Sequence, residues 1–249
     1  MGTEGDILAP ALAAAPPAPE SVRLLWLRTT DLPDRFLERW FALLNLSEQA
    51  RATCFRHRAD RAAYVAAHAL LRHMLSEALG GDPRGWAFEA GPFGKPALAA
   101  VHLRPWLHFN ISHARGLVAC VIAGVPVGVD VEAGDGEPSP AVAERFAPGE
   151  RAMLAKAAGD EYRSIFFRLW TLKEAYLKAT GEGLSGRLDS PAFRIALRKA
   201  VFERPDDAGR WQIFELAPGE AHRLALVVRR RGDTPVNVVA AASDPAGLC

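Results

Sequence analysis

Cysteine is scarce in this chain: Cys54, Cys120 and Cys249 are the only three in 249 residues, far apart and without Cys-x-x-Cys or Cys/His metal spacing. That excludes a disulfide framework and the common zinc sites, and it fits free thiols in a reducing compartment. Long apolar runs are missing too. The longest, LVACVIAGVPVGV from Leu117, is too short to span a bilayer and is broken by Gly124 and Pro126. No basic segment precedes the Ala/Pro-rich amino terminus, so a secretory signal is not expected and a cytoplasmic location is. Charge of one sign is also lacking. A net charge of +1 gives no field to steer a polyanion, so nucleic acid and membrane surfaces are not expected partners and any phosphate site must be a local cluster. A glycine-rich phosphate loop, a dinucleotide-binding fingerprint and a G-x-S-x-G nucleophile elbow are absent, which removes the commonest nucleotide-binding and hydrolase classes.

What remains is an ordinary globular composition, 49% hydrophobic and 24% charged, in a chain long enough for one compact body or two similar halves. Residues 1–20, Ala/Pro-rich, read as a mobile tail. VRLLWLRT then reads as a strand and DRFLERWFALL as a helix. A long helical region follows, from an N-cap at Ser47 to Leu79, stopped by Gly80 and Gly81. Trp86 and Phe88 alternate into a strand, AGPFGKPAL reads as a turn-bearing loop, and three strands follow in LHFNISHA, LVACVIA and VGVDVE. The second half resumes with helical stretches near 139–158 and 161–180 and closes with strands around AFRIAL, WQIFEL, HRLALVVR and VNVVAA. Helices mixed with antiparallel-looking strands, without regular alternation, make the fold class α+β. The halves are expected at 21–125 and 126–249.

In VGVDVE the three valines take one strand face, and Gly128, Asp130 and Glu132 take the other. Two residues apart on a strand, the carboxylates are roughly 7 Å apart at Cα, close enough to converge on one cation. A polar strand face in solvent gives the same alternation. LWTLKEAYLK carries a second set. Ile165, Leu169, Leu172, Tyr176 and Ala179 form a buried stripe, while Thr171, Glu174 and Lys178 share another face. Glu174 and Lys178 are also spaced as a simple surface ion pair. Phe166, Phe167 and Trp170 make the helix apolar most of the way round, so its charged groups are expected to face a cleft. Asp130, Glu132 and Glu174, with no Cys or His ligand pair nearby, suit a hard, oxygen-loving cation, best Mg²⁺. Basic groups form the third set: Arg51, Arg56, Arg58 and Arg61 in one stretch, Lys95 in FGKP, and His113 after Asn110 and Ser112 in FNISHA. A solvated helix face or a satisfied loop histidine explains each singly; together they suit phosphates.

FGKP, FNISHA, VGVDVE and LWTLKEAYLKATGEGL, in this order across roughly residues 46 to 190, resemble the 4′-phosphopantetheinyl transferases of the surfactin-synthetase-activator (Sfp) type. The resemblance implies two similar α+β halves about a pseudo-twofold axis with coenzyme A in the cleft between them. It implies transfer of the phosphopantetheine arm to a serine hydroxyl of an apo acyl or peptidyl carrier protein, releasing adenosine 3′,5′-bisphosphate, by a monomer. Carriers of fatty-acid, polyketide and nonribosomal-peptide assembly are all open to it. Asp130, Glu132 and Glu174 match magnesium-binding acids, and Lys178 matches a lysine on the pyrophosphate. Glu174 is implied as the base for the carrier serine, with Asp130 or a metal-bound water as alternatives. Arg51, Lys95, Pro96, Ser112 and His113 match positions that hold the nucleotide and its 3′-phosphate. Where some relatives carry two basic residues three apart, this chain has Glu48 and Arg51, so the phosphate clamp leans on Arg51, His113 and Arg61. A different Mg²⁺-dependent phosphotransferase and a carrier-binding module without catalysis are the rival readings.

Overall fold

A computed structural model describes residues 21–91, 96–183, 187–196, 199–205, 207–219 and 221–248. The chain opens with strand β1 (Ser21–Arg28) and helices α1 (Asp34–Phe41), α2 (Leu46–Thr53) and α3 (Arg58–Leu79). A short hairpin, β2 (Phe88–Ala90) with β3 (Pro96–Leu98), leads to strands β4 (His108–Ala114), β5 (Leu117–Ala123) and β6 (Val127–Ala133). Helices α4 (Pro140–Ala143), α5 (Pro148–Leu154) and α6 (Gly159–Thr180) come next. The chain ends with β7 (Ala192–Ala196), β8 (Lys199–Arg204), β9 (Trp211–Leu216), β10 (His222–Arg229) and β11 (Asn237–Ala242). Among the described residues no helix is long and apolar enough to cross a membrane.

Two main sheets run in the orders β11-β1-β5-β4 and β6-β10-β9, beside the small hairpins β2–β3 and β7–β8. α3 covers the outer face of the first, where Leu70, Leu71 and Met74 meet Leu25, Cys120 and Ile122. α6 covers the outer face of the second, where Leu169 and Leu172 meet Ala225 and Val227. Val22, Leu24, Ala119 and Val121 from the first sheet share a third apolar cluster with Val127, Val129, Val131 and Leu226 from the second. Alternation with period two puts these sets on opposite strand faces, so both faces of β5 and β10 are buried. The sheets meet where β4 runs beside β6. There side chains replace the missing main-chain ladder: Asn110 Oδ1 accepts the Val129 N–H at 3.1 Å, and Ser112 Oγ accepts the Val131 N–H at 3.3 Å.

Several elements differ from the sequence reading. The helix expected from Ser47 to Leu79 is two helices, α2 and α3, and its N-cap is Asn45. Asn45 Oδ1 takes the Glu48 N–H at 2.9 Å while Glu48 Oε2 takes the Asn45 N–H at 2.8 Å; Ser47 only donates its hydroxyl to Asn45. The chain breaks at 54–57 because Phe55 turns in to pack on Tyr64, with ring centroids 5.3 Å apart. Gly80 does end α3, at φ 77°. Pro148, which has no N–H to give an interior turn, splits the 139–158 stretch into α4 and α5. β3 lies inside the expected AGPFGKPAL loop, and β8 is hidden in the sequence by outward residues that include Lys199, Glu203 and Arg204. The last strand does not stay with the second half: β11 pairs parallel with β1. Leu248 beyond it is buried in the α3 core, and its carbonyl accepts from Trp40 Nε1 at 3.4 Å. Cys54 and Cys120 are free thiols, and Cys249 lies outside the described residues.

Candidate active site

The polar face of β6 lies under α6, not in solvent. Gly128 makes this approach possible: a Cβ there would sit 2.1 Å from the Ala175 carbonyl oxygen and 2.5 Å from the Ala179 nitrogen, both helix backbone. Asp130 is therefore buried at 4% exposure, and Glu174 on the facing side of α6 at 6%. Lys178, one turn beyond Glu174, reaches Asp130 Oδ1 at 2.7 Å and Ser112 Oγ at 3.0 Å. Ser112 itself bonds to Asp130 Oδ1 at 2.9 Å. Glu132, half-buried at the strand end, accepts from Trp170 Nε1 at 2.7 Å.

Burial and a neighbouring carboxylate each oppose the ionisation of a carboxyl group. Burial first, then the Asp130 charge, raises the pKa of Glu174 to about 7, against the pull of Lys178. Burial and then Asp130 likewise raise Glu132 to about 7, opposed by Trp170 and Lys178. Asp130 Oδ2 and Glu174 Oε1 are buried with no hydrogen-bond partner. Among the described residues, no three His, Cys, Asp or Glu side chains are gathered tightly enough to form a ready metal site.

His113 follows on β4, open at the surface. Surrounding atoms and then the Lys178 ammonium lower its pKa, while Asp60 and Asp130 oppose them, so it sits within electrostatic reach of both the acid cluster and α3. The chain thus brings acids, a lysine and a histidine together from β4, β6 and α6.

Comparison with known proteins gives the family of the chain. Residues 126–227 match the 4′-phosphopantetheinyl transferase superfamily, and residues 33–126 match a 4′-phosphopantetheinyl transferase amino-terminal family. The chain is 33% identical to the 4′-phosphopantetheinyl transferase HetI of Nostoc sp., over 85% of this chain and 89% of that protein.

The chain belongs to the 4′-phosphopantetheinyl transferase superfamily.

Sfp-type relatives are prominent among the matches. A 4′-phosphopantetheinyl transferase of Bacillus subtilis is 30% identical over 76% of this chain and 84% of its own, and the transferase Sfp of Bacillus subtilis is 30% identical over 73% and 81%.

The remaining expected contacts of this transferase scatter more widely. Arg51 is exposed, with its guanidinium carbon 5.9 Å from the Tyr64 ring centre. Arg61 turns the other way, onto Phe41 at 5.2 Å, beside the Arg58–Asp34 ion pair. Pro96 opens β3, and Lys95 lies outside the described residues. Glu48, where the resemblance leads one to expect a base, turns inward: it bonds His68 Nδ1 at 2.8 Å and pairs with the fully buried Arg72. Lys173 does not face the cleft. Its ammonium is buried on the other side of α6, 2.6 Å from Glu150 Oε2, and donates to the carbonyls of Leu188 and Pro191 at 2.7 and 2.5 Å. Thr171 is buried and bonds back to the Phe167 carbonyl. The sequence pattern marks Trp170 only as apolar. A tryptophan four residues before a candidate ligand, with one N–H that needs an acceptor when buried, is the signal that could have found its bond to Glu132.

Proposed function

We propose that this transferase moves the 4′-phosphopantetheine arm of coenzyme A to a serine hydroxyl of an apo carrier protein, with release of adenosine 3′,5′-bisphosphate. The observation that carries this reading is the Lys178–Asp130 ion pair within electrostatic reach of Glu174, Asp130 and Glu174 each keeping a buried oxygen without a partner. Two bare buried oxygens, and two acids, Glu132 and Glu174, raised by burial and then by the Asp130 charge, suit an Mg²⁺ ion, a hard cation that takes oxygen ligands. Asp130, Glu132 and Glu174 would hold it. When bound, Mg²⁺ supplies charge neutralisation on the diphosphate.

The protein groups carry the rest. The serine oxygen forms a new bond to the phosphorus next to the pantetheine, and the bond from that phosphorus to the bridging oxygen breaks. The serine proton goes to a carboxylate, Glu174 or Asp130, and the electron pair leaves with adenosine bisphosphate. Lys178 faces the oxygens on which charge grows, so it stabilises the transition state more than the ground state. His113 and Arg51 supply positive or hydrogen-bonding groups towards the nucleotide end.

Strand orders β1–β5–β4 and β6–β10–β9, each antiparallel and each backed by a helix of 22 residues, support two similar halves about a pseudo-twofold axis, 21–125 and 126–249, with β11 returned to the first. The test incubates the protein with coenzyme A, Mg²⁺ and a panel of apo carriers and follows carrier mass. A gain of one phosphopantetheine arm, abolished by chelation, is the expected result; intact carriers throughout would overturn the reading.

A further inference from the structure

Ser112 sits at a position that family resemblance assigns to the nucleotide, yet its hydroxyl has nothing left to offer one. A hydroxyl has one proton to donate and two lone pairs to accept with. The proton goes to Asp130 Oδ1, and the lone pairs take Lys178 Nζ and the Val131 N–H. The residue is only 6% exposed. Two residues earlier on the same strand face, Asn110, at 3% exposure, accepts the Val129 N–H, so the pair together stitch β4 to β6.

We propose that Ser112 is a positioning residue, holding Asp130 and Lys178 in place across the seam between the two sheets, and does not contact the nucleotide. Two hydrogen bonds, from Ser112 and Lys178, fall on Asp130 Oδ1, and Oδ2 is the buried oxygen left bare. Ser112 thus fixes the rotation of the carboxylate and decides which oxygen is presented to a cation. It also holds the ammonium of Lys178 at a set distance from that carboxylate. Such supporting partners set the orientation of ligating groups, and their loss costs affinity or rate without touching the substrate.

This inference rests on the transferase reading above, and the experiment separates the two. Affinities for coenzyme A and for 3′-dephospho-coenzyme A are measured by calorimetry for the wild type and Ser112→Ala, alongside kcat and the Mg²⁺ concentration at half-maximal rate. The expected result is nucleotide affinity unchanged within about twofold, kcat lower by about 10- to 100-fold, and a raised Mg²⁺ requirement. Weaker binding of coenzyme A with dephospho-coenzyme A unaffected would make Ser112 a 3′-phosphate contact and overturn the proposal, as would an unchanged kcat. If Ser112→Ala does not fold, Ser112→Cys keeps the volume with only a weak hydrogen-bonding sulfur and carries the same expectations. A wild type that binds no coenzyme A would overturn the donor reading, and this proposal with it.

Discussion

Single residues in this site have two jobs that compete. Glu174 must ionise to hold a cation or accept a proton, yet burial and the Asp130 charge raise its pKa to about 7. Glu174→Gln keeps the shape and removes the charge, so turnover should fall by roughly two to four orders of magnitude while coenzyme A still binds. Single-turnover rates and calorimetry on the same preparation check both halves of that statement, and a near-normal rate would remove the residue from its role. Glu48 shows the opposite balance. Burial alone would raise its pKa, but the His68 hydrogen bond and the Arg72 charge together hold it below the usual carboxylate value. A carboxyl depressed on folding contributes stability that is full above the unfolded pKa and is lost as pH falls through the folded one. Wild type should therefore melt well above Glu48→Gln at neutral pH, and the gap should narrow below about pH 4. Melting curves across that range test it; a constant gap would show that the charge of Glu48 is not what stabilises the fold.

Among the elements, α6 does most to assemble the site, and its pose depends on both flanks. On one side Gly128 lets it lie against β6. On the other, the buried Lys173–Glu150 pair ties it to α5, while Glu150 Oε1 also accepts the Phe193 N–H at 2.8 Å at the start of β7. Burial draws both members of the pair towards neutrality, against their mutual attraction. Lys173→Met leaves a carboxyl buried without its cation, so stability should drop by ~3–5 kcal/mol. Adding Glu150→Gln to it should recover part of that loss, since the stranded charge is gone. Denaturant titration of both variants decides: a double variant no more stable than the single one would mean that the pair acts through its hydrogen bonds to carbonyls and amides alone.

At the scale of the whole molecule, the chain returns to where it began. β11 extends the first sheet beside β1, and Leu248 closes the core around Trp40. A chain ending at Val236 should leave the β1 edge open and melt lower by roughly ten degrees, or aggregate, which thermal scans with light scattering would show. An unaltered melt would mean the first sheet is complete without its last strand. Local patterns were legible without coordinates: the stop at Gly80, the two faces of VGVDVE and the stripe of α6 follow from glycine's backbone freedom and from the periods of strand and helix. The motif spacing likewise pointed to the transferase superfamily. What lay beyond the sequence was every feature set by a distant partner. Nothing around Lys173 tells it apart from Lys178; one finds Glu150 in the core and the other finds Asp130 in the cleft only after α6 has docked. Ser112 reads as a ligand contact, and only the arrival of β6 brings Asp130 and the Val131 N–H to its hydroxyl. Amino-acid order by itself determined which residues could carry the chemistry, because periodicity and backbone preference act over a few neighbours. Only tertiary structure decided which charges were paired, stranded or spent, because burial and hydrogen bonding are settled by groups far apart in the chain.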